Sequence, residues 1–460
     1  MGDKLRQLLD EAPLEELLEA VRRRETIRPE DGGLFGALER SVEKVKTAFG
    51  HAALEKQLDA LGEEDDQPKR CPRCSKLTGI RARQRARTVK TLNGEVTVRR
   101  NYHWCRHCRH GFYPRDEELG LSSEGELSPE LEKRVVDFGI NDAYGEAEAR
   151  WPLHCAVPIS RNTFRRVVER FGRLCEKSHN AALDHCTQPT DHVPKQLVVS
   201  VDGAHLPIRG SEAWRESKLA VLVRAEHYLR SELGQRGCIS RARYAGVLGR
   251  QQEFRERLDT ALRMERAATA DVVWLADGAK SNWRLADDLA PEATQVLDWY
   301  HAVEHAAECG RAVFGEQSPW VAVWIDAVCR YLRAGRIDAV IAELEECTFL
   351  TRRGRKALLD LRRYYHNNQK RMRYDAYLQA GFPIGSGIVE SAHRHVIQRR
   401  MKNAGQRWSL PSARRMVRLR CAYRTCSPTR FAASIRLAAN LTRAGEIPRV
   451  GRQRRRASNR

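Results

Sequence analysis

The sequence predicts an α/β protein: a mixed-sheet core interrupted by an all-helical insertion, with a cysteine ribbon and helical segments ahead of it. Three observations carry that expectation. Two β-branched runs, QLVVSVDG at 196–203 and DVVWLADG at 271–278, each end in Asp-Gly, as buried strands do when they stop at one edge of a sheet. Two Cys-x-x-Cys pairs, Cys71/Cys74 and Cys105/Cys108, bracket an alternating stretch that turns at Asn93-Gly94. Residues 301–380 show no strand pattern but repeat apolar residues at helical spacing, as in Val321, Trp324, Ile325, Val328, Tyr331 and Leu332.

The length of 460 residues allows about three domains. Hydrophobic residues make up 42% and charged ones 31%, which supports a packed core and excludes wholesale disorder. With 81 Lys+Arg against 60 Asp+Glu the formal charge is +21, which favours a polyanionic partner, nucleic acid first. A membrane is the rival partner, but the sequence has no run of roughly 18 apolar residues to span one. The opening MGDKLRQLLDEAP lacks the apolar core of a secretory signal. The expected location is the cytoplasm, on the nucleoid. There, 13 cysteines serve as metal ligands or buried thiols rather than disulfides.

In chain order, residues 1–66 form an N-terminal helical region. Leu5, Leu8, Leu9, Leu14, Leu17, Leu18 and Val21, then Leu34, Leu38, Val42, Val45 and Phe49, give two or more amphipathic helices. These build an ordinary helical subdomain or a dimerisation surface, and the acidic run at 62–66 closes the region as a linker. Residues 67–120 read as a zinc ribbon, because paired knuckles around a hairpin present four thiolates tetrahedrally. Cys71, Cys74, Cys105 and Cys108 are therefore expected to hold one structural Zn2+, with buried reduced thiols or an iron–sulfur cluster as alternatives. Arg81, Arg83, Arg85, Arg87, Arg99 and Arg100 between them either touch phosphates or form a solvated strand face.

Residues 121–190 turn helical. Ser128-Pro129-Glu130 sets an N-cap with proline at the first helical position. Ser160 caps a second helix over 161–175 with Phe164, Val167, Val168 and Phe171 on one face. Helix, turn and capped basic helix outline a helix-turn-helix-like DNA-binding region offering Arg161, Asn162, Arg165 and Arg166 to DNA. Two packed helices are the plainer reading.

Residues 191–300 form the first part of the core: strands at 197–202, 219–223 and 244–248, a helix at 252–264, a strand at 271–277, a short helix from Ser281, and a fifth strand at 295–299. That order fits an RNase-H-like sheet with Asp202 ending the first strand and Asp277 the fourth. After the insertion, residues 381–430 return to the core with a final helix, opened by Gly385-Ser386-Gly387 and carrying Glu390, and a basic region; residues 431–460 are a basic tail suited to phosphate backbone.

Two metal ions about 4 Å apart, bridged by a carboxylate, activate a water or 3′-hydroxyl and stabilise the leaving oxygen of a phosphodiester. Such a site needs acids converging from separate elements. Asp202, Asp277 and Glu390 fit it, with two Mg2+ or Mn2+ as the hard cations, although either aspartate alone is more often a turn or cap residue. His393 and Arg394 follow Glu390 at helical spacing, beside a scissile phosphate or on a solvated face. Asp298 and His301, with Trp299 between them, orient water or DNA or form a buried structural pair. Arg399, Arg400, Lys402 and Arg407 beyond the Glu390 helix are candidate DNA contacts.

The stretches VSVDGAHLPIRG, WLADGAKSNWRLA, VLDWYHAVEH and PIGSGIVESAHRHVIQRRMKNAGQRWS resemble the ISKra-type bacterial insertion-sequence transposases, related to the Mutator-like group. The resemblance implies an RNase-H-like DDE core with a helical insertion between the fifth strand and the final helix. It makes Asp202, Asp277 and Glu390 the metal-binding triad, Asp298 and His301 the [CD]xxH element, and Trp299 and Tyr300 handlers of a DNA end. It further implies a homo-oligomer assembled on double-stranded DNA, which binds terminal inverted repeats and carries out metal-dependent cleavage and strand transfer. The rival readings are a non-catalytic regulator built from ribbon and helix-turn-helix, and an RNase-H-like nuclease that cuts without joining.

Overall fold

The computed structural model describes residues 33–62, 66–188, 192–210, 214–230, 237–346 and 351–444. The helices expected in residues 1–32, the acids at 63–65 and the cationic stretch 445–460 lie outside the described residues. Two compact units make up the chain, one from residues 1–182 with 432–460 and one from residues 183–431.

The first unit opens with α1 (Gly33–Ala60), one unbroken helix. A hairpin follows, β1 (Ile80–Thr91) and β2 (Gly94–Cys105), with the short β3 (His110–Phe112) paired to β2. The Asn-Gly turn sets its register: Thr91 pairs with Gly94, which takes φ +115°, a left-handed value that a side chain resists. Val89, Val96, Val98 and Leu121 form a cluster covered by Leu54 and Leu58 of α1, so apolar burial anchors the turn end of the hairpin.

Three helices come next, α2 (Pro129–Asn141), α3 (Tyr144–Arg150) and α4 (Arg161–Lys177). Ser128 and Ser160 accept the N–H groups of Leu131 and Thr163, the caps read from the sequence. The connection between α3 and α4, residues 151–160, is longer than the three or so residues of a tight helix-turn-helix. Pro152 and Pro158 stop the helix there, and buried Trp151 donates from Nε1 to the Val157 carbonyl at 2.7 Å, pinning the loop.

In the second unit, β4 (Gln196–Leu206), β5 (Arg215–Arg224) and β6 (Arg243–Leu248) are followed by α5 (Gln251–Met264), β7 (Asp271–Ala276), α6 (Lys280–Leu289) and β8 (Thr294–Leu297). They form one mixed five-stranded sheet in the order β6-β5-β4-β7-β8. Its first three strands are antiparallel neighbours, while β7 runs parallel to both β4 and β8. Within this sheet the chain builds the predicted order of three strands, helix, strand, helix, strand; an unpredicted antiparallel pair, Tyr228–Arg230 with Gly237–Ile239, lies between β5 and β6 in sequence. Leu197, Val199, Val201, Trp274 and Leu275 are each at most 1% exposed, as expected of strands covered on both faces.

Two strand ends differ from expectation. Asp202 does not close its strand, because the long partner β5 continues the pairing from Gly203↔Lys218 to Leu206↔Arg215. Gly203 makes no turn: it pairs with Lys218 inside the ladder. The fifth strand stops at Leu297, since Asp298 caps a helix that starts one residue later. That helix, α7 (Trp299–Phe314), leads into α8 (Trp320–Arg333), α9 (Ile337–Glu346), α10 (Arg352–Asn368) and α11 (Tyr374–Gln379), the all-helical stretch that the sequence predicts.

The chain returns in α12 (Gly387–Ala392), which widens into a π-helical segment over His393–Gln398 before Arg399–Met401. The wider turn alters the carbonyl pairing, and fully buried Arg420 of α13 (Leu410–Thr425) donates to the carbonyls of His395 and Val396. Helix α14 (Pro428–Ala444) takes up part of the expected tail, with Phe431, Ile435 and Ala438 buried at helical spacing. Among the described residues no helix is long and apolar enough to cross a membrane.

A buried ion cluster ties this sheet to α5. Glu265 accepts from Arg224 Nε at 2.5 Å and Arg243 Nε at 2.6 Å. Burial pushes the Glu265 carboxyl up, but the two guanidinium groups hold it below its ordinary value. Its stabilisation is thus complete at neutral pH and lost only as pH falls through the depressed folded-state value. Glu265→Ala leaves two buried cations without their anion, so it should cost about 3–5 kcal/mol. Chemical denaturation followed by tryptophan fluorescence checks this, and an unchanged midpoint would contradict the role.

Candidate functional site

Neighbouring parallel strands bring the two aspartates to one end of the sheet. In the β4–β7 ladder Ala276 pairs with Val201, so Asp277 follows directly alongside Asp202. Both residues are half-buried. Asp202 Oδ1 accepts the Gly203 N–H at 2.6 Å. Burial raises its carboxyl above the ordinary aspartate value and the charge of Asp277 raises it further, against lowering by His393, the Gly203 N–H and His301.

Asp277 is fixed by its own loop. Ala279 N–H and the Asn282 side-chain amide donate to its Oδ1 at 3.0 and 2.9 Å, and the Tyr364 hydroxyl of α10 donates to its backbone carbonyl at 2.9 Å. Gly278 between them sits at φ +91°, and a Cβ there would meet the Tyr364 hydroxyl at 2.8 Å. Only glycine satisfies both conditions.

Asp298 joins this strand end to the segment that carries Glu390. Its backbone N–H donates to the Ala276 carbonyl at 2.9 Å, one residue before Asp277. Its fully buried carboxylate accepts the N–H groups of Tyr300 and His301 at the α7 terminus, the ring Nδ1–H of His301, and the Ser386 N–H at 2.6 Å. Ser386 Oγ in turn donates to Glu390 Oε1 at 2.5 Å, and Trp299 N–H donates to the Ile384 carbonyl at 2.8 Å. Exposed Tyr300 lies over Gly385, whose Cβ would strike its ring at 2.6 Å.

His301 is the counter-ion of that buried charge. Its hydrogen bond to Asp298 raises its pKa against burial, and the fields of Asp298, Asp277 and Asp202 add to this, pushing it up to about 9. His393 is buried with Nε2 3.6 Å from Asp202 Oδ2, and burial lowers its pKa even though Asp202 opposes this. Arg394, Arg399, Lys402 and Arg407 are exposed. Arg400 is not: it is fully buried with its guanidinium 5.0 Å from the Trp408 ring, so packing removes it from any surface role. Trp299 is likewise 9% exposed, packed edge-on against Tyr374, which leaves Tyr300 as the accessible aromatic of that pair.

The four ribbon cysteines come together as the sequence predicts. Cys71 Sγ lies 3.5 Å from Cys108 Sγ, Cys74 Sγ lies 3.5 Å from Cys105 Sγ, and all four sulfurs fall within 4.8 Å of one another. Four sulfurs about 2.3 Å from one centre sit on a tetrahedron with edges slightly longer than those contacts, so the set fits a zinc ion. Backbone N–H donation from Cys108 and His107, with help from Cys74, lowers the Cys105 thiol to about 6 despite burial, while burial and the other thiols push Cys108 up to about 12. Among the described residues this is the one group of three or more such side chains gathered that tightly. Asp202, Asp277 and Glu390 as a set stand farther apart, with Glu390 exposed at the start of its helix.

Over residues 31–432 the sequence matches an uncharacterised protein family, UPF0236. The chain belongs to the UPF0236 family. No curated protein matches it in sequence. Among solved structures it is similar to a Drosophila P element transposase strand transfer complex, at 10% identity and a TM-score of 0.30, over 73% of this chain and 96% of that one. That score is too low for the likeness to carry an argument.

Sequence reasoning missed two residues of this site, Asn282 and Tyr364, and read Ser386 only as part of the opening of the Glu390 helix rather than as the bridge from Asp298 to Glu390. The first had a signal, since it lies five residues after Asp277 at the start of the predicted helix. Tyr364 had none, because it comes from the insertion 87 residues away. Two measurements check the site. Metal analysis should find one zinc per chain, lost in Cys74→Ser/Cys108→Ser; retention there would refute the cluster. In an NMR titration of the metal-free protein, the His301 ring should stay protonated until pH approaches about 9. The raised folded-state value means its stabilising ion pair is complete below about pH 6.5 and lost as pH rises through that range. A midpoint near 6.5 would contradict the Asp298 pairing.

Proposed function

We propose that this UPF0236 protein is a DNA transposase of an insertion sequence, with an RNase-H-like core that cuts and joins DNA at Asp202, Asp277 and Glu390. The observation that carries the reading is the placement of Asp202 and Asp277 at adjacent positions on parallel β4 and β7, with Glu390 tethered to that strand end through Ser386 and Asp298. The strand order β6-β5-β4-β7-β8 is the arrangement expected of such a core, and the four sequence stretches quoted above support the same reading.

The donor set suits Mg2+ or Mn2+, which take carboxylate oxygens, and a bound cation would oppose the burial, and the added charge of Asp277, that raise the Asp202 pKa. Bound there, a pair of such ions supplies activation of a water or 3′-hydroxyl and stabilisation of the leaving oxygen. The chain's own residues do the rest. Gly203 N–H holds Oδ1 of Asp202, whose Oδ2 faces His393 at 3.6 Å, and Ala279 N–H and Asn282 hold Oδ1 of Asp277. The His301 imidazolium keeps the Asp298 charge neutralised, so Asp298 can hold the Ser386 turn. Glu390, exposed and held by a single hydroxyl, is free to leave Ser386 for the metal side. Arg394, Arg399, Lys402 and Arg407 supply cations for phosphate on the same stretch of chain.

End recognition is assigned to α4, whose first turns expose Arg161, Asn162, Arg165 and Arg166, with a second copy joining on DNA. Asn162→Ala/Arg165→Ala should reduce preference for the terminal repeat over random duplex in competition gel shifts. Undiminished preference would move the reader elsewhere.

The test of the chemistry uses Asp202→Asn, Asp277→Asn and Glu390→Gln on a labelled transposon end in Mg2+ or Mn2+. Each should lower cleavage by orders of magnitude while DNA binding persists, since each removes a ligand oxygen from a site that depends on its metals. Wild-type cutting by any one of them refutes the triad. Cleavage without joining in a strand-transfer assay would leave a nuclease.

A further inference from the structure

The chain's positive charge is unevenly placed. From Gln67 to Tyr113 the sequence has thirteen Lys and Arg and one carboxylate, Glu95, a surplus of twelve out of +21. A surplus that large within one small element makes a strong local field. Surface cations alone show little, however, until those consumed by internal pairs are set aside.

The structure makes that separation. Arg87 and Arg100 converge on Asp116, all three side chains nearly buried, with Arg87 Nη1 at 2.8 Å. Arg83 meets Asp66 at 3.2 Å and Lys90 meets Glu95 at 3.6 Å. Arg73 and Lys76 on the first knuckle, Arg106 and Arg109 on the second, and Arg81 and Arg99 on the strands are exposed, and none has a carboxylate within 4.0 Å among the described residues. Arg81 lies 5.6 Å from the ring of Trp104, which stiffens it without neutralising it.

Arg73, Lys76, Arg81, Arg106 and Arg109 share one end of the hairpin, while Arg99, opposite Ala86, lies midway along it. The four sulfurs lie within 4.8 Å of one another, so both knuckles sit together at the Cys105 end of β2. The opposite end is anchored: Leu54 and Leu58 cover Val89 and Val96, and the α-carbon of Gly50 packs against the Asn93 side chain. The ribbon is therefore polarised, apolar and docked at its turn, cationic and unpaired at its metal end. Arginine and lysine are the side chains that most often hold phosphate oxygens; arginine also reads guanine edges, so equal loss on random and terminal-repeat duplexes is what marks phosphate contact.

We propose that the knuckle end of the ribbon is a sequence-independent clamp on the phosphate backbone of duplex DNA. The inference rests on the DNA reading above and assigns to this end the affinity that α4 turns into preference. A zinc ion on the four cysteines would hold the two knuckles together as one surface.

The test measures binding of the full chain to a labelled random duplex by fluorescence anisotropy, across about 50–200 mM salt. Arg106→Ala/Arg109→Ala and, separately, Arg73→Ala/Lys76→Ala should each lower the salt-dependence slope by about 1.8, at about 0.9 per phosphate contact. Extrapolated to about 0.15 M salt, that slope corresponds to on the order of thirty-fold weaker binding. The loss should be equal on random and terminal-repeat duplexes, with one zinc per chain retained as the folding control. Unchanged slopes in both pairs, with wild-type binding intact, overturn the clamp alone. A loss confined to the terminal repeat overturns it in favour of base reading. Failure of the wild type to bind duplex DNA at all overturns both this inference and the transposase reading.

Discussion

A carboxylate with no access to water persists only when its charge and its lone pairs are both answered, and Asp298 sets the geometry of the second unit by that requirement. Its four acceptor contacts come from the first turn of α7, the His301 ring and the Ser386 turn. Its own N–H reaches back to the end of β7. One residue thereby fixes where the helical insertion begins, where the Glu390 segment returns, and how both meet the strand that delivers Asp277. The insertion answers with Tyr364, whose hydroxyl holds the Asp277 carbonyl from the other side.

The electrostatics follow from that choice. Burial raises the Asp202 carboxyl and the charge of Asp277 adds to this, while the Asp298 hydrogen bond raises His301 and burial lowers His393. The difference between the two histidines is environmental: His301 has a bonded carboxylate, while His393 is buried and only approaches Asp202 at 3.6 Å.

The core strands were legible in the sequence because β-branched runs between polar breaks have few alternatives, and the Asn93-Gly94 turn and the Ser128 and Ser160 caps were legible because their chemistry is local. The end of β4 was not. Asp-Gly reads as a strand terminus, and only the length of β5 shows that pairing continues to Leu206. Asp298 was noticed for its spacing to His301, but its role as a cap depends on a helix starting where β propensity still ran through Val296 and Leu297. Arg400 and Arg420 look like surface cations in a basic stretch, whereas packing buries both, one beside Trp408 and the other on carbonyls of the π-helical segment. Contacts between residues scores of positions apart leave no periodic trace.

The most direct test of the Asp298 constraint is hydrogen–deuterium exchange of the full chain with Asp298→Ala, compared with Asp202→Asn. If Asp298 holds the Glu390 turn to the end of β7, the alanine variant should lose amide protection over residues 384–390 and the first turn of α7, while Asp202→Asn keeps wild-type protection in both. Wild-type exchange across 384–390 in Asp298→Ala would show that the turn is held by other means, and the account of how this site is assembled would fail.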